Sequence, residues 1–399
     1  MNDRSGFLPY GRQAIDSDDI DAVVEVLRSD TLTGGPVVGQ FEAALAKDLN
    51  SPSVVVCATG TAALHLAVVC AGVRAGDTVI VPSLTFLASA NAVRYAGADV
   101  VFADVDAESG LMTSEHFEDA LNKAARKNVR AVIPVHLNGQ LCDMPKIQKI
   151  AKSRSIKVIE DACHAIGGKY SDGSPVGSSE FSDFTCLSFH PVKTIAMGEG
   201  GAVATRDAKQ AERMRILRNH GMERQPVAPT FPHQALSGQG ESNPWYYEMR
   251  ELGWNYRASD IHCALGLSQL KKLKMFVDRR VALVQMYDES IADLAPNVRP
   301  QRRPGSQTAW HLYVVHIDFE KLGRTRAQVM TKLKSLGVGS QVHYLPVHLQ
   351  PYYANLYGPQ TLPGAEMYYG SCLSLPLFPE MKNEDVDHVV DALRQATGA

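Results

Sequence analysis

IKVIEDACHAIGG, residues 156–168, opens as a β-branched apolar run and reaches two adjacent carboxylates, Glu160 and Asp161. A short apolar run of this kind predicts a strand covered on both faces, as in a parallel sheet. Carboxylates at the end of such a strand are costly to bury without partners. The ends of strands in open α/β sheets are also where ligands bind. The same texture recurs on either side. VVVC (54–57), DTVIVPS (77–83), DVVFADVD (99–106), RAVIPVHL (130–137), FTCLSFH (184–190) and GAVATRD (201–207) are further candidate strands. Helical patterns such as SEHFEDALNKAARKN and MPKIQKIAKSRS lie between several of them. This alternation predicts an α/β unit with a mostly parallel sheet, the last short strands including an antiparallel one.

The texture changes after about Gly240. GESNPWYYEMRELGWNYRA (240–258) reads as an irregular polar and aromatic segment. One long helix is predicted from Ala258 into the 280s, on the spacing of Ile261, Leu265, Leu270, Leu273, Val277, Val281 and Val284. Beyond it, LYVVHIDF and QVHYLPV read as strands, and TRAQVMTKLKSLG and NEDVDHVVDALRQA as helices. The predicted organisation is a large unit, residues 1–255, and a smaller α+β unit, residues 256–399, with residues 1–40 as an arm near the site.

Composition narrows the function. The 399 residues carry a net charge of −3, with 45% hydrophobic and 21% charged residues. That balance argues against a generally basic nucleic-acid binder and against whole-chain disorder. No apolar run reaches the roughly 18 residues of a membrane-spanning helix. The segment MNDRSGFLPYGRQ lacks the apolar core of a signal peptide, so a cytoplasmic location is expected, with no membrane partner. Seven cysteines without a CxxC pair fit a reducing compartment.

Some motifs carry little. GGPVVG (34–39) has glycines but no preceding strand, and no Walker A sequence is present. His343 and His348 in HYLPVH have no acidic or cysteine neighbour, so no metal site is expected. Cys163 beside His164 reads as a packed thiol, because neighbours on a strand point to opposite faces.

Another set converges. FTCLSFH runs into Pro191, Val192 and Lys193, followed by GEGG (198–201), whose glycines allow backbone to approach a ligand. A lysine amine can form a Schiff base with a carbonyl. A carboxylate such as Asp161 can hold a pyridinium nitrogen. Thr59, Gly60 and Thr61 at a helix start supply donors for a phosphate. A phosphate site, an aspartate and a lysine are what a pyridoxal phosphate pocket requires.

Over nearly its whole length the chain resembles the DegT/DnrJ/StrS sugar aminotransferases, which are fold-type I pyridoxal phosphate enzymes. The resemblance rests on LTGGPVVGQFE (32–42), ATGTAALHLA (58–67), PSLTFLASANAVRYAGADVVFADVD (82–106), EDACHAIGG (160–168), SFHPVKTIAMGEGGAVATRD (188–207), LRNHGM (217–222), GWNYRASDIHCALGLSQLKKL (253–273) and HYLPVH (343–348). PYGRQAID, HPVKTIAMGEGG, ALGLSQLKKL and HYLPVHLQPYY are similar to one subgroup, the transaminases that form UDP-4-amino-4,6-dideoxy-N-acetyl-β-L-altrosamine in pseudaminic acid biosynthesis.

The resemblance implies a seven-stranded sheet and a role for each matching residue. Lys193 carries the cofactor and Asp161 pairs with its pyridine nitrogen. Phe86 stacks on the ring, and His164, where many relatives have glutamine, lies near its O3′. Gly60, Thr61 and Ser188 hold the phosphate, with Asn255 reaching it from a neighbouring subunit, so a homodimer shares its sites. Tyr10, Thr31, Thr33, His343, Tyr344 and His348 belong to the substrate side. The implied substrates are L-glutamate and a UDP-linked keto sugar. Related sugar 3-dehydratases carry histidine in place of the lysine, so Lys193 favours transamination. The rivals are an aminotransferase for another dTDP-, GDP- or UDP-linked keto sugar, and a non-catalytic regulatory protein of the same fold.

Overall fold

The computed structural model describes residues 6–224, 226–303 and 308–398. The first five residues of the expected arm lie outside this set. Seven strands form the main sheet: β1 (Ser53–Cys57), β2 (Thr78–Pro82), β3 (Asp99–Ala103), β4 (Val129–Val132), β5 (Lys157–Asp161), β6 (Phe184–Ser188) and β7 (Gly201–Thr205). Their order is β1-β7-β6-β5-β4-β2-β3. β7 runs antiparallel to both β1 and β6, and the other pairings are parallel. All seven coincide with sequence candidates, and GAVATRD supplies the antiparallel one.

The sheet is covered by helices, as its apolar strands require. The helix Gly60–Cys70 follows β1 directly and is buried along most of its length. Its small residues, Ala62, Ala63 and Ala67, let it lie close to the sheet. The capped helix Ser114–Lys123 and the helix Met144–Ser153 turn apolar faces inward through Phe117, Leu121 and Ile147. β8 (Met222–Arg224) pairs antiparallel with β9 (Tyr247–Met249), which falls within the segment read as irregular.

A second core lies around β10 (Val298–Pro300), β11 (Tyr313–Ile317) and β12 (Cys372–Leu375), an antiparallel sheet. Leu283, Tyr287, Val315, Leu373, Val389 and Leu393 are among its buried residues. The expected long helix is two, Asp260–Leu270 and Leu273–Ser290, broken at Lys271 and Lys272. The apolar spacing runs through the break, so periodicity alone joins what the backbone separates. QVHYLPV is not a strand. Gln341 bridges Ser374, but Pro346 cannot donate to a ladder, and the Val347 N–H bonds the Ser83 carbonyl at 2.8 Å. That bond carries HYLPVH across the end of β2. GGPVVG starts the helix Pro36–Asp48, its Gly35 and Val37 N–H groups capped by the Asp260 carboxylate at 2.8 and 2.9 Å. Among the described residues, no helix is long and apolar enough to cross a membrane.

Candidate active site

Where β1, β5 and β6 end, the chain encloses a cavity of about 640 Å³. Its lining includes Gly60, Thr61, Phe86, Asp161, His164, Ser188 and Lys193. Tyr10, His343 and Tyr344 close it from the N-terminal arm and the HYLPVH segment.

Strand alternation separates the two carboxylates of β5. Glu160 points into the protein, where His136 Nε2 lies 2.7 Å away and Thr185 Oγ1 donates at 3.1 Å, with Tyr170 and Ser182 as further donors. Burial alone pulls the His136 imidazole down, but Cys142 and Glu160 override it and raise the pKa to about 10. Burial pushes Glu160 up, but His136, Ser182 and Tyr170 together outweigh it, so the carboxyl lies below its ordinary value. Glu160 is therefore a partnered structural ion. Asp161 points to the cavity. Its Oδ2 accepts from Ser89 Oγ at 2.6 Å and its Oδ1 from the Cys163 N–H at 3.2 Å.

Lys193 follows β6 in a turn closed by its N–H to the His190 carbonyl at 2.8 Å. Burial lowers its ammonium below the usual lysine range, and Cys163 and Asp161 offset part of that. A lysine so placed holds more neutral amine, the form that attacks a carbonyl or takes a proton. Burial, then Lys193, lowers His343 to about 3. Burial, Lys193 and His343 hold His164 well below the imidazole range. Cys163 and His164 both line the cavity, because the strand ends at Asp161 and strand alternation no longer applies. Burial raises the Cys163 thiol well above its usual range, which leaves it inert as a nucleophile.

The phosphate end is built from a helix start. Thr59 caps the helix by accepting the Ala62 N–H at 3.0 Å, with the Gly60 and Thr61 N–H groups standing ahead of it. A β-carbon on Gly60 would come 2.8 Å from Ser188 Cβ, so the cradle admits only glycine. Within GEGG, Glu199 lines the cavity and Gly201 packs beside the cradle turn. A β-carbon on Gly201 would lie 2.3 Å from the Thr59 carbonyl oxygen and 2.8 Å from the Gly60 nitrogen. That glycine brings β7 against the turn that forms the cradle.

Four expected site residues lie outside the cavity lining. Thr31, Thr33 and Asn255 are exposed, Thr33 bridging Ser259 and Asn255 bridging Asn219 through their backbones. His348 is buried between Ser83 Oγ at 2.5 Å and Glu366 Oε1 at 3.3 Å. It does not line the cavity, so its place on the substrate side rests on the resemblance alone. His348 lies within the short 3₁₀ turn Val347–Leu349. Sequence reasoning missed Ser89, Asn138 and His311. Asn-Gly at 138–139 was a legible turn signal, while Ser89 and His311 carried none.

The residues present fit pyridoxal phosphate. A glycine-lined helix start faces one end of the cavity, an anchored carboxylate lies beside it, and a lysine with a lowered pKa shares the same space.

Comparisons with known proteins agree. The DegT/DnrJ/EryC1/StrS aminotransferase family matches residues 13–394. The chain is 36% identical to the spore coat polysaccharide biosynthesis protein SpsC of Bacillus subtilis, covering 98% of this chain and 97% of that protein. Its structure is similar to Helicobacter pylori PseC, an aminotransferase involved in the biosynthesis of pseudoaminic acid, with TM-score 0.87, 27% identity, and 98% and 99% of the two chains covered. It is also similar to the pyridoxal phosphate form of the putative sugar aminotransferase Spr1654 of Streptococcus pneumoniae, with TM-score 0.86, 27% identity and the same coverage. The chain belongs to the DegT/DnrJ/EryC1/StrS aminotransferase family and is a pyridoxal phosphate-dependent sugar aminotransferase.

Proposed function

We propose that the protein moves an amino group from L-glutamate to C4 of a UDP-linked 4-keto-6-deoxy-N-acetylhexosamine, giving UDP-4-amino-4,6-dideoxy-N-acetyl-β-L-altrosamine. The observation that carries the chemistry is the convergence of Lys193, Asp161 and the Gly60 helix start on one cavity. Likeness to PseC and the subgroup motifs support the substrate.

When bound, pyridoxal phosphate supplies an electron sink and carries the amino group between the two substrates. In this proposal the Gly60 and Thr61 N–H groups and Ser188 hold its phosphate, and Phe86 offers a ring face. Asp161, steadied by Ser89, holds the pyridine nitrogen protonated. The Lys193 amine takes the proton from Cα of glutamate, and later delivers one to C4 of the sugar. Tyr10 and His343 position the sugar. Asn255, Thr31 and Thr33 are exposed, and we assign them to the site of a second copy in a homodimer. We keep the division into residues 1–255 and 256–399, and a cytoplasmic location, as parts of the same proposal.

A second reading has its own support. The higher identity, 36%, is to a spore coat polysaccharide protein, which favours another nucleotide-linked keto sugar. The test supplies L-glutamate with UDP- or dTDP-linked 4-keto sugars and follows 2-oxoglutarate and the amino sugar. Turnover of the UDP-N-acetyl sugar supports the first reading. Turnover of the dTDP sugar alone supports the second, and loss of both in Lys193→Ala assigns the chemistry to the lysine.

A further inference from the structure

Asn138 lies just beyond β4, fully buried, in the left-handed region at φ 62°, and Gly139 follows at φ 93°. Asparagine and glycine tolerate these angles better than other residues. Asn138 is held through its backbone and its side-chain nitrogen. Its backbone N–H donates to His164 Nδ1 at 3.2 Å, and its carbonyl accepts the His311 N–H at 3.0 Å. Its side-chain Nδ2 donates to Gln301 Oε1 at 2.8 Å and to the Tyr368 hydroxyl at 2.9 Å. A β-carbon on Gly139 would come within 3.0 Å of the His164 carbonyl and the His311 nitrogen. The turn has no room to rotate.

This fixes the protonation of His164. A neutral imidazole has one N–H and one bare nitrogen. The nitrogen facing the Asn138 N–H must be the bare one. A proton there would oppose two buried donors, leaving both unsatisfied at about 1–3 kcal/mol each. The proton is therefore on Nε2, which lies 3.2 Å from the Tyr344 hydroxyl. Tyr344 accepts that bond, and its own proton must point elsewhere. The Tyr344 side chain lines the cavity with Lys193, Phe86 and Asp161. Burial raises the Tyr344 phenol above its usual range, so it keeps its proton. The charged and titratable groups around the pair are Lys193, Asp161, His311, His343, Tyr10 and Cys163.

We infer that His164, which the resemblance sets near the cofactor's O3′, also positions Tyr344. Its Nε2–H tautomer, set by the Asn138 backbone, turns the Tyr344 hydroxyl proton into the cavity, where it donates to an acceptor oxygen of the bound keto sugar. The inference rests on the cavity being the aminotransferase site proposed above. In His164→Gln the amide oxygen can take the Asn138 N–H while the amide nitrogen donates to Tyr344.

The first test is the tautomer itself, read by nitrogen-15 NMR on histidine-labelled protein, with the His164 signals assigned by their loss in His164→Gln. The expected result is a bare Nδ1 and a protonated Nε2 from about pH 5 to 8, the range where an ordinary histidine titrates. A protonated Nδ1, or a doubly protonated ring, overturns the inference whatever reaction the enzyme performs. The second test is kinetic. Tyr344→Phe and His164→Leu should each raise KM for the keto sugar about 3- to 10-fold, as for one neutral hydrogen bond. The double variant should lose no more than Tyr344→Phe alone, and His164→Gln should recover most of what His164→Leu loses. Losses that add in the double variant refute the coupling. Visible cofactor absorption in each variant separates this outcome from failure to hold the cofactor, and if His164→Leu does not fold, the tautomer measurement decides.

Discussion

Gly201→Ala probes how the sheet makes the phosphate cradle. Gly201 pairs with Cys57 at the end of the antiparallel β1–β7 ladder, directly beside the Thr59–Gly60 turn. The added β-carbon would sit 2.3 Å from the Thr59 oxygen, where ordinary contact begins at 3.4 Å. The two backbones must part by about 1 Å, and no side chain can swing aside to relieve it. Overpacking commonly costs about 1–3 kcal/mol, and a clash of backbone with backbone belongs at the upper end. A displacement of about 1 Å at a reacting site can reduce rate about 100-fold. Because the Gly60 and Thr61 N–H groups ride on this turn, the predicted variant is less stable by about 3 kcal/mol. It should also bind pyridoxal phosphate at least tenfold more weakly. Gly200→Ala is the control: the three atoms nearest its β-carbon would all belong to the Met197 side chain, the nearest at 2.2 Å, which a flexible thioether can move. Chemical denaturation and cofactor titration by absorbance report both quantities. A Gly201→Ala protein as stable and as tight for cofactor as Gly200→Ala would refute the claim that this glycine sets the cradle.

Ser89→Ala removes the 2.6 Å donor to Asp161. A hydrogen bond to a charged group is worth about 1.5–3 kcal/mol, so cofactor affinity should fall about tenfold or more, measured by the same titration. The His136–Glu160 pair gives stability a pH signature. His136 is raised to about 10, so its contribution is complete below about pH 6.5 and is lost as pH climbs through 10. Glu160 is lowered, so its contribution is present above about pH 4.3 and fades on acidification. His136→Gln should lose about 3–5 kcal/mol near neutrality and flatten the alkaline slope, seen in denaturant unfolding across pH; an unchanged slope would mean that the pair is not ionic. For the homodimer, mixing Lys193→Ala with Asn255→Ala subunits should restore activity through hybrid sites with both residues intact. Mixtures no more active than either parent would put Asn255 outside a shared site.

The sheet was legible because its strands are almost wholly apolar and bounded by helical patterns. Lys193 and Asp161 were legible because each stands at the end of such a strand, and the fold brings strand ends together. Periodicity failed at Lys271, where apolar spacing continues through a break in the backbone. It failed again at QVHYLPV, where alternation suggested a strand but Pro346 and the bond to Ser83 made a crossing segment. His348 shares the HYLPVH motif with His343, yet it lies buried in a 3₁₀ turn and outside the cavity lining. Ser89 and His311 reach the site only through tertiary packing, which leaves no local trace in the sequence. Glu160 and Asp161 looked equivalent; strand alternation makes one a buried ion and the other a cavity carboxylate.

The central claim is that Lys193, Asp161 and the Gly60 helix start form one cofactor site that accepts an amine from L-glutamate. An absorbance spectrum of the purified protein, before and after L-glutamate, tests it most directly, with Lys193→Ala alongside. A visible band that gives way to a shorter-wavelength band on adding glutamate, while Lys193→Ala shows no such conversion, is the predicted result. A protein that stays colourless even after pyridoxal phosphate is added contradicts the account.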